Sequence, residues 1–150
     1  MKVLIDGDGC PVIDITVSLC NKIGTECIIL CDTSHYFNKK GARTVMVSKG
    51  NDTVDFALVN MVDKGDIVVT QDYGLAAMCI AKQARPISQN GMLYNNDNID
   101  GLLMARHMAR EVRMGGGRIK GQGKRTKDQD SFFEEKIRKK RKRNRSIIKL

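Results

Sequence analysis

Four short runs of apolar residues constrain this chain more than any other feature. They are Val3–Ile5, ECIILCD at 26–32, TVMVS at 44–48 and DIVVTQD at 66–72. Each is too short for a helix and apolar on consecutive positions, as in strands buried on both faces. Helical spacing fills the gaps. After Pro11, suited to a first helical position, Val12, Ile15, Leu19 and Ile23 repeat until Gly24. Asp52 or Thr53 can cap a helix carrying Val54, Leu58, Met61 and Val62. Leu75, Ala76, Cys79 and Ile80 form a third apolar face, RPIS has room for a short strand, and a helix from about Asp97 carries Ile99, Leu102 and Leu103 before the glycines at 115–117. Strands alternating with helices predict an α/β fold, a mainly parallel sheet between two helical layers.

The formal net charge of +9 is informative once located. Residues 1–105 carry −3, 106–127 carry +7, 128–135 carry −4 and 136–150 carry +9. A mildly acidic body therefore precedes a basic extension that suits a polyanionic partner. The expected division is a domain over 1–114 and a basic loop and C-terminal extension over 115–150, partly helical or disordered. GRIKGQGKRTK has no apolar period and reads as a loop. Phe132, Phe133 and Ile137 can anchor a following helix, whereas the stretch from Arg138 onward has too few apolar residues to bury and reads as disordered when unbound. Arg138, Lys139, Lys140, Arg141, Lys142 and Arg143 are the candidate nucleic-acid contacts.

No window is long and apolar enough for a membrane span, and no basic segment precedes a long apolar stretch at the N-terminus. Five cysteines, an odd number without a C-x-x-C pair, read as buried small hydrophobes. A cytoplasmic chain is the expectation. Cys27, Cys31 and His35 fit no zinc spacing and lack a fourth ligand. His35 reads as a solvated loop residue, and neither histidine is assigned to catalysis.

The chemistry concentrates in aspartates. Ligands of an open parallel sheet bind beyond the carboxyl ends of the strands, near the point where strand order reverses. The first strand ends at Asp6 and Asp8, the fourth at Asp72, and Asp55, with Asp52 beside it, opens the helix after the third. Topology alone brings these acids to one rim. Like charges there raise one another's pKa values unless a cation intervenes. Oxygen-only donors suit Mg²⁺ or Mn²⁺, which can activate water toward a phosphodiester. Asp6, Asp8, Asp55 and Asp72 are the candidate metal-holding and catalytic residues. Simpler roles exist: Asp8 as a turn residue, Asp52 and Asp72 as helix caps, Asp55 as a first-turn acid favoured by the helix dipole.

Four blocks carry a resemblance: D-x-D-x-C-P at Asp6, Asp8, Cys10 and Pro11; G-x-D-x-x-D at Gly50, Asp52 and Asp55; V-x-T-x-D-x-x-L-A from Val68 through Thr70 and Asp72 to Leu75 and Ala76; and G-x-L-Y at Gly91–Tyr94. Over about residues 1–133 they resemble the YaiI/YqxD family of uncharacterised bacterial proteins. That family is similar to the PIN-like superfamily, whose members are typically metal-dependent ribonucleases. The resemblance implies a PIN-like three-layer fold and an acidic core of Asp6, Asp55 and Asp72, with Asp8 as an additional member. The second acid of such sites is often Glu and is Asp55 here. The residues after Asp72 are not a standard nuclease motif, and the run KIRKKRKRNR is not one associated with the family.

Three functions remain open: a divalent-metal-dependent nuclease acting on RNA, a non-catalytic RNA- or ribosome-associated protein, and an aspartyl-phosphate phosphatase. The last shares the opening D-x-D but lacks a flap after its first strand, and Gly65-Asp66 precedes its apolar run where that chemistry wants an acidic pair behind it. Tyr36 and Phe37 form the adjacent aromatic pair outside the tail able to meet a base. Arg106, Arg110 and Arg113 have the spacing of one helical face and can meet phosphates.

Overall fold

The computed structural model describes residues 1–50, 52–117 and 124–148, with backbone alone described for 141–148. Its strands are β1 (Lys2–Asp6), β2 (Glu26–Asp32), β3 (Arg43–Val47), β4 (Ile67–Val69) and β5 (Arg85–Ile87). Its helices are α1 (Ile13–Ile23), α2 (Thr53–Met61), α3 (Tyr73–Ala81), α4 (Ile99–Met114) and α5 (Lys127–Ile148). The strands form one sheet in the order β3-β2-β1-β4-β5, every neighbouring pair parallel. The α/β fold with a central parallel sheet is therefore the one expected from sequence.

Strand alternation divides the core in two. Val3 and Ile5 of β1, Cys27 and Ile29 of β2, and Ile67 and Val69 of β4 face α1 through Val12, Ile13, Val17, Leu19 and Cys20. Leu4, Ile28, Leu30 and Val68 face the other way, onto Val54 and Leu58 of α2 and Leu75 and Cys79 of α3. α4 lies outside α3, joined through Ala76, Tyr94, Ile99, Leu102 and Leu103. Apolar residues on consecutive positions thus serve two opposite layers. Helix α1 begins at Ile13, later than Pro11; of the expected stripe Val12 and Leu19 are buried, while Ile15 and Ile23 are only partly so. Its buried face is centred on Ile13, Val17 and Cys20, one residue round from the expected stripe.

The chain after the glycines joins the same core. Phe133 and Ile137 are fully buried among the residues of β1 and α1, while Phe132 stays half exposed. Arg125 fastens the approach: its Nε–H donates to Asp130 Oδ1 at 2.5 Å, and its terminal nitrogens donate to Asn90 Oδ1 at 2.8 Å and Gln89 O at 2.6 Å. The helix then continues to Ile148 where disorder was expected from Arg138. Glu134–Arg138 and Glu135–Lys139 pairs at 2.9 and 3.0 Å, acids in the first turn and cations later, support it along its length. Residues 118–123 of the expected basic loop lie outside the described residues.

α5 also has a direction. Its approach touches Gln89 and Asn90, just beyond the carboxyl end of β5, whereas Lys140 O accepts from the guanidinium of Arg85, at the amino end of that strand. The basic run therefore leaves from the sheet edge opposite the carboxyl ends. Phe133→Ala is expected to cost about 3–5 kcal/mol in urea unfolding; unchanged stability would mean that α5 does not complete the core.

Candidate metal centre

Two strands end in an aspartate at one edge of the sheet, and a third is followed by one. Asp6 closes β1, Asp32 closes β2, and Asp72 follows β4 by three residues. β1 and β4 are neighbours on which the strand order turns back, the place where open parallel sheets leave a crevice. The two glycines of IDGDGCP shape this corner. A Cβ at Gly7 would stand 2.9 Å from Leu30 O, so the chain can pass β2 only without a side chain, and Gly9 has a φ of +68°. Together they return Asp8 to the rim.

The resulting cleft, about 560 Å³ in volume, is lined by Asp6, Asp8, Asp32, Asp52, Asp55 and Asp72, with Gly50, Thr53, Val54, Gln71, Tyr73 and Arg106. All four candidates, Asp6, Asp8, Asp55 and Asp72, line it. Thr70 connects two of them. Its hydroxyl donates to Asp6 Oδ2 at 3.0 Å, and its Oγ1 accepts from Asp72 N–H at 3.0 Å. Asp72 is also the cap expected of it, accepting Leu75 N–H on Oδ1 at 3.1 Å, and the same oxygen lies 3.8 Å from Arg106. Capping and cleft lining therefore coexist in one side chain.

Asp52 departs from its cap reading. It stands at the N-cap position of α2 with φ of 60° and makes no side-chain cap hydrogen bond. The Thr53 hydroxyl instead donates to Ser48 O at 2.7 Å. Left-handed backbone at a non-glycine residue is uncommon, tolerated best by Asn and Asp, and gathers at functional sites. Here it accompanies the aspartate's place in the cleft wall.

Electrostatics record the crowding. Burial first, then the charges of Asp8 and Asp72, push the Asp6 carboxyl up to about 6 against the Thr70 hydrogen bond. Burial, then Asp72, Asp6 and Asp52, push Asp55 up to about 7. A cation among these oxygens would reverse both shifts, and the hard, oxygen-only donor set fits Mg²⁺ or Mn²⁺. The donor chemistry suits the ion, while among the described residues no three of Asp6, Asp8, Asp55 and Asp72 bring ligand atoms within 4.8 Å of one another.

Asp32 escaped the sequence reading, and His35, read there as a solvated loop residue, is 53% exposed in its side chain yet reaches the rim. His35 Nδ1 lies 3.1 Å from Asp8 Oδ1 and 3.6 Å from Asp32 Oδ1, and among the described residues these three side chains offer metal-ligating atoms within 4.8 Å of one another. Ser34 N–H donates to Asp32 Oδ1 at 2.7 Å and holds that carboxyl below its ordinary range. A signal existed: ECIILCD ends in Asp as the first and fourth runs do. Tyr36 and Phe37 separate, since Phe37 packs against the core while Tyr36 stays exposed. Arg106 reaches the cleft, whereas Arg110 and Arg113 lie on the exposed face of α4. The side chains of Arg141, Lys142 and Arg143 lie outside the described residues, and those of Arg138 and Lys139 pair with glutamates on α5.

The raised carboxyls carry a sign. Between the ordinary Asp range near 4 and the folded values of about 6 and 7, Asp6 and Asp55 hold protons that the unfolded chain has lost. Their contribution is complete at low pH and disappears as pH rises through those values. In metal-free buffer the melting temperature should fall between pH 5 and pH 8, and fall less in Asp55→Asn. Identical pH slopes for the two proteins would contradict the crowding.

Comparison with known proteins gives a family. The model described as an uncharacterised YaiI/YqxD family matches residues 4–143, reaching past the expected limit near 133 into the basic run. A UPF0178 protein of Exiguobacterium sibiricum is 52% identical over 135 residues, covering 90% of this chain and 92% of its own. Another from Ruminiclostridium cellulolyticum is 45% identical over 137 residues, covering 91% and 90%. The crystal structure of Rae1 (YacP) from Bacillus subtilis is similar with a TM-score of 0.46 and 15% identity, over 77% of this chain and 84% of that one.

Proposed function

We propose, from the premise that the chain belongs to the YaiI/YqxD family, that it is a PIN-like, divalent-metal-dependent phosphodiesterase acting on RNA. The observation that carries this reading is the convergence of six carboxylates in one cleft at the reversal of strand order, two of them pushed up to about 6 and 7. Asp6, Asp8, Asp55 and Asp72 would hold Mg²⁺ or Mn²⁺. Such an ion supplies the charge that polarises a phosphodiester and eases deprotonation of water.

The protein's own part is to fix its donors. Thr70 holds Asp6 Oδ2, and the first turn of α3 holds Asp72 Oδ1, so neither carboxylate has to be ordered when substrate arrives. Arg106, at the mouth beside Asp72, presents the cation that meets a phosphate. The basic run on α5 starts at the opposite edge of the sheet and serves as a tether for nucleic acid rather than as a wall of the cleft.

That separation also favours a second reading, a non-catalytic RNA-associated protein in which the tether alone works. The phosphatase reading has less support. Asp66 is buried at the amino edge, accepting from Lys2 N–H at 3.0 Å and facing Lys2 Nζ at 2.7 Å, so it gives the cleft no later acidic partner.

The test is cleavage of labelled RNA and single-stranded DNA with Mg²⁺ or Mn²⁺. Asp6→Asn and Asp72→Asn should each lose on the order of 100-fold or more, and Asn at 72 keeps the cap. Cleavage surviving in both variants would reject the site. Deleting residues 141–150 should weaken RNA binding and flatten its salt dependence while sparing cleavage of short substrates. Binding without any metal-dependent cleavage would leave the tether reading standing.

A further inference from the structure

A second groove, about 400 Å³, opens beside the acidic cleft between α2, α3 and α4. It shares Asp52, Asp55, Asp72 and Arg106 with that cleft and adds Phe56, Gly74, Leu75 and Met78. Its volume falls in the range of small-molecule sites. Phe56 follows the helix-opening Asp55 and is 60% exposed, although α2 buries Val54 and Leu58 on its other side. The core does not explain this ring. Arg106 is 56% exposed in its side chain and is the one cation among the described residues lining either groove. Gly74 contributes no side chain to the floor, where a Cβ would stand 3.2 Å from Asp72 Oδ1.

We infer that this groove is a nucleotide subsite flanking the acidic cleft, in which Phe56 stacks a base and Arg106 holds the adjoining phosphate. The inference rests on the phosphodiesterase reading and names two positioning residues for it. An exposed aromatic face and the planar guanidinium fork are the groups that take an unpaired base and a phosphate. Their shared border with Asp55 and Asp72 sets the next phosphate along the strand at the acids. The three aspartates would repel a free phosphate on their own, so Arg106 supplies the local attraction, to which a metal ion held by the acids would add. A base in a duplex is already stacked and cannot lie on Phe56, so the subsite separates unpaired from paired substrates.

The experiment is fluorescence anisotropy with the full chain, using a short 2′-O-methyl oligoribonucleotide, single-stranded or as a blunt duplex, with Mg²⁺ present and the probe's integrity checked on a denaturing gel. Phe56→Ala should weaken single-strand binding roughly tenfold and leave the duplex unchanged, while Phe56→Trp restores it. Arg106→Ala should lower the salt slope by about one, and Arg106→Lys should recover the slope without full affinity. Circular dichroism checks that each surface variant is folded. A parent that binds the single strand with a Phe56→Ala variant of equal affinity, or of equal loss on both probes, overturns the subsite alone. A parent that binds neither probe overturns both the subsite and the nucleic-acid reading beneath it.

Discussion

Mutual repulsion among aspartates at one sheet edge is the constraint around which the rest of this molecule is arranged. β1 and β4 lie side by side because the chain crosses from β3 over β1, and that crossing delivers Asp6, Asp72 and the first turn of α2 to one corner. Nothing in the hydrophobic core requires acids there. Burial and neighbouring charge push Asp6 and Asp55 up to about 6 and 7, the mark that crowding leaves on these two carboxyls.

The surroundings hold the acids in place rather than relieve them. Thr70 bonds Asp6 and Asp72 at once, Asp72 caps α3, Gly7 lets β1 turn against Leu30, and Asp52 takes a left-handed backbone at the cleft wall. Apart from Arg106, 3.8 Å from Asp72, the cations the described residues place in ion pairs stand away from the cleft lining. Lys2 pairs with Asp63 and Asp66 at the amino edge, and α5 carries its positive charge from the same side. Such sorting of charge leaves an acidic crevice on one edge and a basic helix leading from the other, two surfaces that a polyanion can engage separately.

Much of this was legible in the residues. The apolar runs located the strands because a doubly covered strand must be apolar on consecutive positions, and the rule for open parallel sheets then placed Asp6, Asp8, Asp55 and Asp72 together. What escaped depended on information outside a local pattern. Asp32 ends its strand as Asp6 does, but only the pairing of β2 with β1 puts it at the same corner. His35 reaches Asp8 through the loop after β2, whose path no periodicity describes. Phe56 lies off the apolar face read for α2 and drew no assignment; its exposure emerged only with the packing of that helix. Helix α5 persists where a charged run suggested disorder, since Phe133 and Ile137 dock its first turns and i,i+4 pairs carry it onward.

The most direct measurement is crystallographic: an anomalous difference map from crystals of the full chain soaked in Mn²⁺. A peak within coordinating distance of Asp6 and Asp72 at the carboxyl edge between β1 and β4 is the expected result. An acidic corner that stays without a peak at saturating Mn²⁺, with its carboxylates still facing one another, would contradict the central claim.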